Sequence, residues 1–316
     1  MSNSTTNKSN PFFEPLSPLS IGLKMSLLTV VALVVKATPT QPTWAILMVL
    51  FAALFLVPIA FEQLRRNQTS FPMHKSDLVS QFLCAISLTF SFLMERSTIA
   101  GIFAIPYAVW CMEIFFYGLK INTKLTYLAT LTTFGFLLNA SLWLVMDRFD
   151  IQPLSFTTWI VILTGVHFHY AGFALMACLT LFLCREPHDR FIQTTVVLLI
   201  LGIILTATGI TTTQIGFDQS IETVAGVWMA IAGMLAGSIF IKKSFAEPQP
   251  TQGLWFIGGV SLVLGMCLAC LYALRSIIIL DELTLPFMQA VHGTLNALGF
   301  GTLMLLGWAF HKAPPQ

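Results

Sequence analysis

Long apolar runs recur along this chain and constrain its fold more than any other feature. A helix needs about 20 apolar residues to cross the hydrocarbon core of a bilayer, and inside the bilayer a helix satisfies all of its own backbone hydrogen bonds. The sequence therefore predicts an all-α, polytopic transmembrane bundle of about ten spans. The predicted spans are Leu19–Val35, Thr43–Phe61, Leu78–Met94, Ile99–Leu119, Leu125–Met146, Thr158–Cys184, Phe191–Thr213, Ile221–Ile241, Leu254–Leu274 and Leu283–Phe310.

The composition agrees with an integral membrane protein. Only 9% of the residues are charged and 56% are hydrophobic, whereas soluble domains carry about 25% charged residues. The net charge of +2 is spread along the chain, so we expect the lipid bilayer as the main partner and no nucleic acid. All six cysteines lie inside apolar runs, which indicates small buried residues rather than a disulfide framework.

The polar segments divide the chain simply. Residues 1–18 are rich in Ser, Asn and Thr and predict a disordered tail. Residues 19–310 form one transmembrane domain, because the longest predicted internal loop has only about 15 residues. Residues 311–316 form a short C-terminal tail.

The basic residues predict the orientation. With ten spans, both termini and the even-numbered loops lie on one side of the membrane, and that side carries eleven Lys and Arg residues against four on the other. Basic residues concentrate in short cytoplasmic loops. We therefore predict that the N-terminus and the C-terminus are both cytoplasmic.

Three histidines interrupt the sixth and tenth runs. Ionisable side chains within a span are rare and usually face a bundle interior or a cavity. His167 and His292 each lie nine residues after the start of their run, and His169 lies eleven after it. At the rise of an α-helix these positions are about 13 to 17 Å deep. The sequence thus predicts that all three imidazoles lie at one level, near the middle of the bilayer.

Helical geometry separates the two histidines of the sixth run. Residues two apart are about 200° apart around a helix, so His167 and His169 point to opposite faces. We expect one of them to line a pocket and the other to bond a neighbouring helix. Asn296 follows His292 by one turn and shares its face.

Other polar groups complete the candidate site. Tyr170 and Asn296 are expected to orient a ligand, and Tyr107 and Asn139 lie at a similar depth in neighbouring runs. Glu113 lies within an apolar stretch, where a carboxyl group must be protonated or paired. The candidate acid, base and orienting residues are His167, His169, His292, Asn296, Tyr170, Glu113 and Glu222.

These residues leave several functions open. An acid–base enzyme or binding site would suit a lipidic ligand, isoprenoid-like or quinone-like, that enters from the bilayer. A transporter or proton-coupled permease would use the same residues, although prolines within the runs are few. Haem between His169 and His292 is a third hypothesis. Zinc bound by Cys267, Cys270 and a histidine, and simple interhelical packing, are the others. The sequence names no cofactor.

Two motifs resemble a known family. The heptad His167-Phe168-His169-Tyr170-Ala171-Gly172-Phe173 and the segment from His292 to Phe300 are similar to the YndJ-like family of bacterial membrane proteins. The resemblance rests on the C-terminal half of the chain; it implies a multi-pass protein of the bacterial cell (inner) membrane and names no reaction. It assigns importance to His167, His169, Tyr170, Gly172, His292, Gly293 and Asn296.

Overall fold

A computed structural model describes residues 15–36, 42–67, 74–119, 124–278 and 282–311. Every element in these ranges is helical. The predicted terminal tails, 1–18 and 311–316, lie outside the described residues except for 15–18 and His311.

Each predicted span corresponds to one helix. Nine of the ten described helices are long and apolar enough to cross a membrane, and α3, which has 17 residues, is shorter. The all-α transmembrane fold is therefore confirmed. The helices are α1 Pro18–Lys36, α2 Thr43–Asn67, α3 Ser76–Phe92, α4 Thr98–Tyr117, α5 Leu125–Arg148, α6 Thr158–Arg185, α7 Arg190–Gln214, α8 Ser220–Ser244, α9 Thr251–Ser276 and α10 Leu285–Phe310.

Side chains cap the helices that carry or border the histidines. Thr157 accepts a hydrogen bond from the backbone N–H of Ile160 and starts α6. Thr284 caps the first turn of α10 in the same way, and Pro286 occupies a position whose N–H has no helical partner. Because these caps fix the first residue of each helix, they also fix how far His167 lies from the start of α6 and how far His292 lies from the start of α10.

Three helices contain wide π-helical turns, in which the backbone N–H bonds the carbonyl five residues earlier. They are Ala52–Leu56 in α2, Phe168–Ala174 in α6, and the pair Gln289–Gly293 and Leu295–Thr302 in α10. The wide turn of α6 contacts both the wide turn of α2 and that of Leu295–Thr302 in α10. Just before the wide turn of α2, the Met48 carbonyl accepts a hydrogen bond from the Tyr170 hydroxyl at 2.9 Å. Wide turns of this kind are rare in proteins, and those that occur often lie at functional sites.

The helices pack as two groups. Helices α1–α6 form the first group, with α2 and α6 the most buried, and α7–α10 form the second. The groups meet where α6 contacts α7 and α10, where α10 contacts α2, and where α5 contacts α7. Helix α6 therefore joins the two groups, and the candidate histidines of α6 and α10 lie on this junction.

Buried charges lock one end of the first group. Arg148 is fully buried, donates to the carbonyls of Ser91 and Met94, and pairs with Asp147. Arg96 also pairs with Asp147, at 3.0 Å. These bonds join the end of α3 and the loop after it to the end of α5. They also explain how two arginines are accommodated beside apolar spans, since each buried charge has partners.

Candidate functional site

The imidazole rings of His167 and His292 face each other across the junction of α6 and α10. Their ring centroids are 6.4 Å apart and their planes differ by 26°. The two histidines that the sequence placed at one depth are therefore neighbours, and both rings lie within reach of one small ligand.

Backbone carbonyls fix the protonation pattern of these two rings. Nδ1 of His167 lies 3.1 Å from the Leu163 carbonyl oxygen, and Nδ1 of His292 lies 2.7 Å from that of Gly265. A carbonyl oxygen only accepts hydrogen bonds, so each Nδ1 must carry a hydrogen. In the neutral imidazole, Nε2 is then an acceptor.

Asn296 is held against His292. Its Nδ2 donates to the His292 carbonyl at 2.9 Å and lies 3.2 and 3.3 Å from the two ring nitrogens. Gly265 of α9 makes this arrangement possible, since a Cβ there would stand 2.8 Å from Asn296 Nδ2. The close approach of α9 to α10 thus positions both polar side chains of α10.

His169 belongs to a different contact. It is fully buried, and its Nδ1 donates to the Gly165 carbonyl at 2.7 Å. Its Nε2 accepts a hydrogen bond from the Tyr107 hydroxyl at 3.1 Å, and the two rings stack. Both ring nitrogens are therefore engaged with α6 itself and with α4.

This geometry corrects the haem hypothesis. The sequence paired His169 with His292, but the imidazole that faces His292 is that of His167. His169 has no free nitrogen for an iron, because Gly165 and Tyr107 use both. The sequence named Tyr107 only as a polar group at a similar depth in a neighbouring run, and no local pattern indicated that its partner is His169.

Three other candidates lie elsewhere. Tyr170 is buried and anchors α6 to α2 through the Met48 carbonyl. Glu222 pairs with Arg275 of α9 at 2.6 Å. Glu113 is exposed on α4, on the face that also exposes Met112 and Phe116. In the described part of the chain, neither carboxylate contacts His167 or His292.

The histidine pair can be reached from outside the protein. His167 is exposed, although its neighbours Gly165 and Val166 are buried, and His292 and Asn296 are half-buried. Among the described residues, Nε2 of His167 has no hydrogen-bond partner. An accessible hydrogen-bond acceptor, Nε2 of His167, therefore lies where two helices that are long enough to span a membrane meet.

The described residues do not build a metal centre. They contain no group of three or more His, Cys, Asp or Glu side chains that could hold a metal ion. The thiol of Cys267, part of the zinc hypothesis, is exposed and lies 3.7 Å from Met234 Sδ on α8. A groove of about 300 Å³ lies at the α5–α7 contact; its lining includes neither His167 nor His292 and consists of Leu125, Gln193, Thr194, Val197 and Leu198.

The fold defines the class, a multi-pass integral membrane protein. The model of the family described as YndJ-like protein matches residues 47–300, so the chain belongs to the YndJ-like family. The match begins within α2, and it extends the sequence resemblance from the C-terminal half to most of the first group of helices.

A curated relative carries the same family name. The "Uncharacterized membrane protein YndJ" of Bacillus subtilis (strain 168) is 26% identical over 283 residues, which cover 85% of this chain and 49% of that protein. This chain therefore spans about half the length of that relative. No solved structure matches the chain.

Proposed function

We propose that this chain holds an acid–base site for a lipidic, isoprenoid-like or quinone-like ligand between α6 and α10. The observation that carries the proposal is the pair of accessible imidazoles, His167 and His292, whose rings are 6.4 Å apart. Two imidazoles at this spacing can contact one polar headgroup together, and imidazole is the side chain that most often serves as a general acid or base.

The surroundings favour a ligand with an apolar body. Val291 and Leu298, which flank His292 and Asn296 on α10, are exposed at 36% and 41%. A ligand that reaches His167 would therefore lay its chain along apolar side chains while its headgroup meets the imidazoles. Ligand sites are typically apolar, with a few convergent polar groups that fix orientation.

The proposal assigns different roles to the candidate residues. His167 and His292 accept and donate the proton, and Asn296 orients His292 through its bond to the backbone. His169 and Tyr170 act as positioning residues, because their polar atoms bond α4 and α2. Glu113 and Glu222 take no part in the proposed site.

The direct test is photolabelling of the full chain in nanodiscs with a diazirine-bearing geranylgeranyl alcohol. We expect His167→Ala and His292→Ala each to lower specific labelling at least about tenfold, while His188→Ala, an exposed loop histidine, leaves it unchanged. Unchanged labelling in both folded variants would refute the proposal. A Soret band in the purified protein would instead support haem between His167 and His292.

A proton-coupled permease is the second candidate. The observation that favours it is the group of wide turns in α2, α6 and α10, because such turns in otherwise regular helices occur frequently at functional sites. Proton flux into proteoliposomes that requires an added substrate and His167 would support the permease over the enzyme.

We further propose that both termini lie in the cytoplasm and that the protein lies in the bacterial inner membrane. The distribution of Lys and Arg, eleven against four, supports this orientation. Reporter fusions test it: a periplasm-active reporter at either terminus must remain inactive, and activity there would refute the orientation.

A further inference from the structure

All three intramembrane histidines have the same bond at Nδ1. Each Nδ1 faces a backbone carbonyl oxygen: that of Leu163 for His167, Gly165 for His169 and Gly265 for His292. Two of these carbonyls lie four residues earlier on the same helix and one lies on α9. The hydrogen of each neutral imidazole is thus held at Nδ1, and each Nε2 offers a lone pair.

The protein itself shows what such a lone pair binds. Nε2 of His169 accepts the hydroxyl hydrogen of Tyr107 at 3.1 Å, with the phenol ring stacked on the imidazole at a centroid distance of 6.0 Å. His167 has the same Nδ1 bond two residues earlier, but none of the described residues supplies a hydroxyl to its Nε2. Within the part of the chain that the structure describes, no hydroxyl takes the place beside His167 that the Tyr107 hydroxyl takes beside His169.

The nearby donors are already committed. Asn296 Nδ2 is directed at the His292 carbonyl and ring nitrogens, and Nδ1 of each ring is directed at a carbonyl. The side chains of His167, His292 and Asn296 therefore offer a ligand hydrogen-bond acceptors rather than donors. The main acceptor is Nε2 of His167, and the second is Oδ1 of Asn296, whose Nδ2 already donates to the His292 carbonyl.

We infer that the ligand of this site carries a hydroxyl donor, as in an isoprenoid alcohol or a quinol, and that the site discriminates against the corresponding ether or quinone. The inference rests on the proposed function, a lipidic ligand at His167 and His292, and specifies its headgroup. The ligand hydroxyl donates to Nε2 of His167, while Nδ1 keeps its hydrogen and its bond to Leu163. A carbonyl or ether oxygen at the same place would face a lone pair.

The experiment compares geranylgeraniol with its methyl ether, which has the same chain and lacks the O–H. Both are titrated into the full chain in nanodiscs as competitors of the photoreactive alcohol. We expect the alcohol to bind about tenfold more tightly, which corresponds to about 1.4 kcal/mol. In His167→Phe, which keeps a ring without an acceptor, we expect alcohol and ether to compete equally for the labelling that remains, while His188→Phe retains the preference for the alcohol.

The outcomes separate the two proposals. Equal affinity for alcohol and ether overturns the hydroxyl inference and leaves the proposed lipid site intact. Failure of both to compete overturns both. Because His167→Phe can fail to fold, ¹⁵N NMR of the histidine-labelled native chain provides a second test. A neutral His167 with hydrogen on Nδ1 and a bare Nε2 is expected, and a hydrogen on Nε2 overturns the inference.

Discussion

Helices α6 and α10 meet at two levels, and the two levels are built differently. At one level His167 faces His292 at 6.4 Å, in a region that is accessible and only partly packed. At the other, Phe182 of α6 packs edge-on against Trp308 of α10 at 4.8 Å, and both are buried. The same pair of helices thus forms an open polar contact, which we call the histidine level, and a closed aromatic contact, which we call the closed level.

The closed level is also tied by charge. Glu247, in the connection between α8 and α9, accepts hydrogen bonds from Arg185 at the end of α6 and from His311 just after α10. Glu247 is 8% exposed, and its carboxylate bonds both helix ends at once. Glu247 thus bonds a side chain at the end of each of the two helices, as expected for a buried polar group.

The backbone differs in the same way. Around the histidines, α6 and α10 contain wide π turns, whereas Leu175–Arg185 and Leu303–Phe310 at the closed level are regular α-helix. We infer that packing at the closed level stabilises the fold. The histidine level can therefore contain irregular backbone and a hydrogen-bond acceptor, Nε2 of His167, that is available to a ligand. Substitutions should therefore separate stability from ligand binding.

The largest effect is expected from Trp308→Ala, which removes the centre of the closed level. Trp308 is 2% exposed and packs against Phe182 and Trp255, so we expect the free energy of unfolding to fall by about 3–5 kcal/mol. Reversible unfolding in mixed micelles measures it. Phe310→Ala, on the same helix but 53% exposed, is the control; an equal loss there would remove the distinction between the levels.

An intermediate effect is expected from Gly265→Ala. The added Cβ would stand 2.8 Å from Asn296 Nδ2, so it separates α9 from α10, costs about 1–3 kcal/mol, and displaces Asn296 and His292. Unfolding and photolabelling should both decline. Gly22→Ala, where nothing lies within 4 Å of the new Cβ, should change neither; undiminished labelling in the Gly265 variant would argue against a role for the α9 contact.

A smaller effect is expected from Tyr107→Phe. It removes one buried hydrogen bond, to His169 Nε2, and should lower the free energy of unfolding by about 1 kcal/mol. The ¹⁵N resonance of that nitrogen should move as it loses its donor. Tyr117→Phe, at an exposed position of α4, serves as the reference, and a stationary His169 resonance would contradict the bond.

The smallest effect on stability is expected from His167→Ala. The side chain is exposed and its described bond is to its own helix, so the free energy of unfolding should change by no more than about 0.5 kcal/mol. Ligand labelling should nevertheless be lost. A destabilisation as large as that of Trp308→Ala would mean that the contact between His167 and His292 also stabilises the fold.

Much of this architecture follows from local sequence. Apolar runs predicted the ten helices because length and hydrophobicity decide whether a segment crosses a bilayer. The rise per residue placed His167 and His292 at one level, and the rotation per residue separated His167 from His169. The contacts of these two side chains with α10 and α4 respectively agree with that geometry.

Other features depended on neighbours that no local pattern identifies. Helix α4 is apolar on all sides, so its sequence gave no indication that Glu113 faces outward while Tyr107 faces α6. Likewise, Glu222 resembled a site residue by its position, and only the packing of α8 on α9 paired it with Arg275.

The sequence by itself thus determined which segments form helices and how far along its own helix each polar group lies, because both depend only on the local segment. Only the tertiary structure decided that His167 rather than His169 faces His292, and that Gly265 brings α9 against Asn296. Rotation of one helix against another depends on side-chain packing over its whole length and on wide turns such as Phe168–Ala174. These turns change the angle at which every later residue projects.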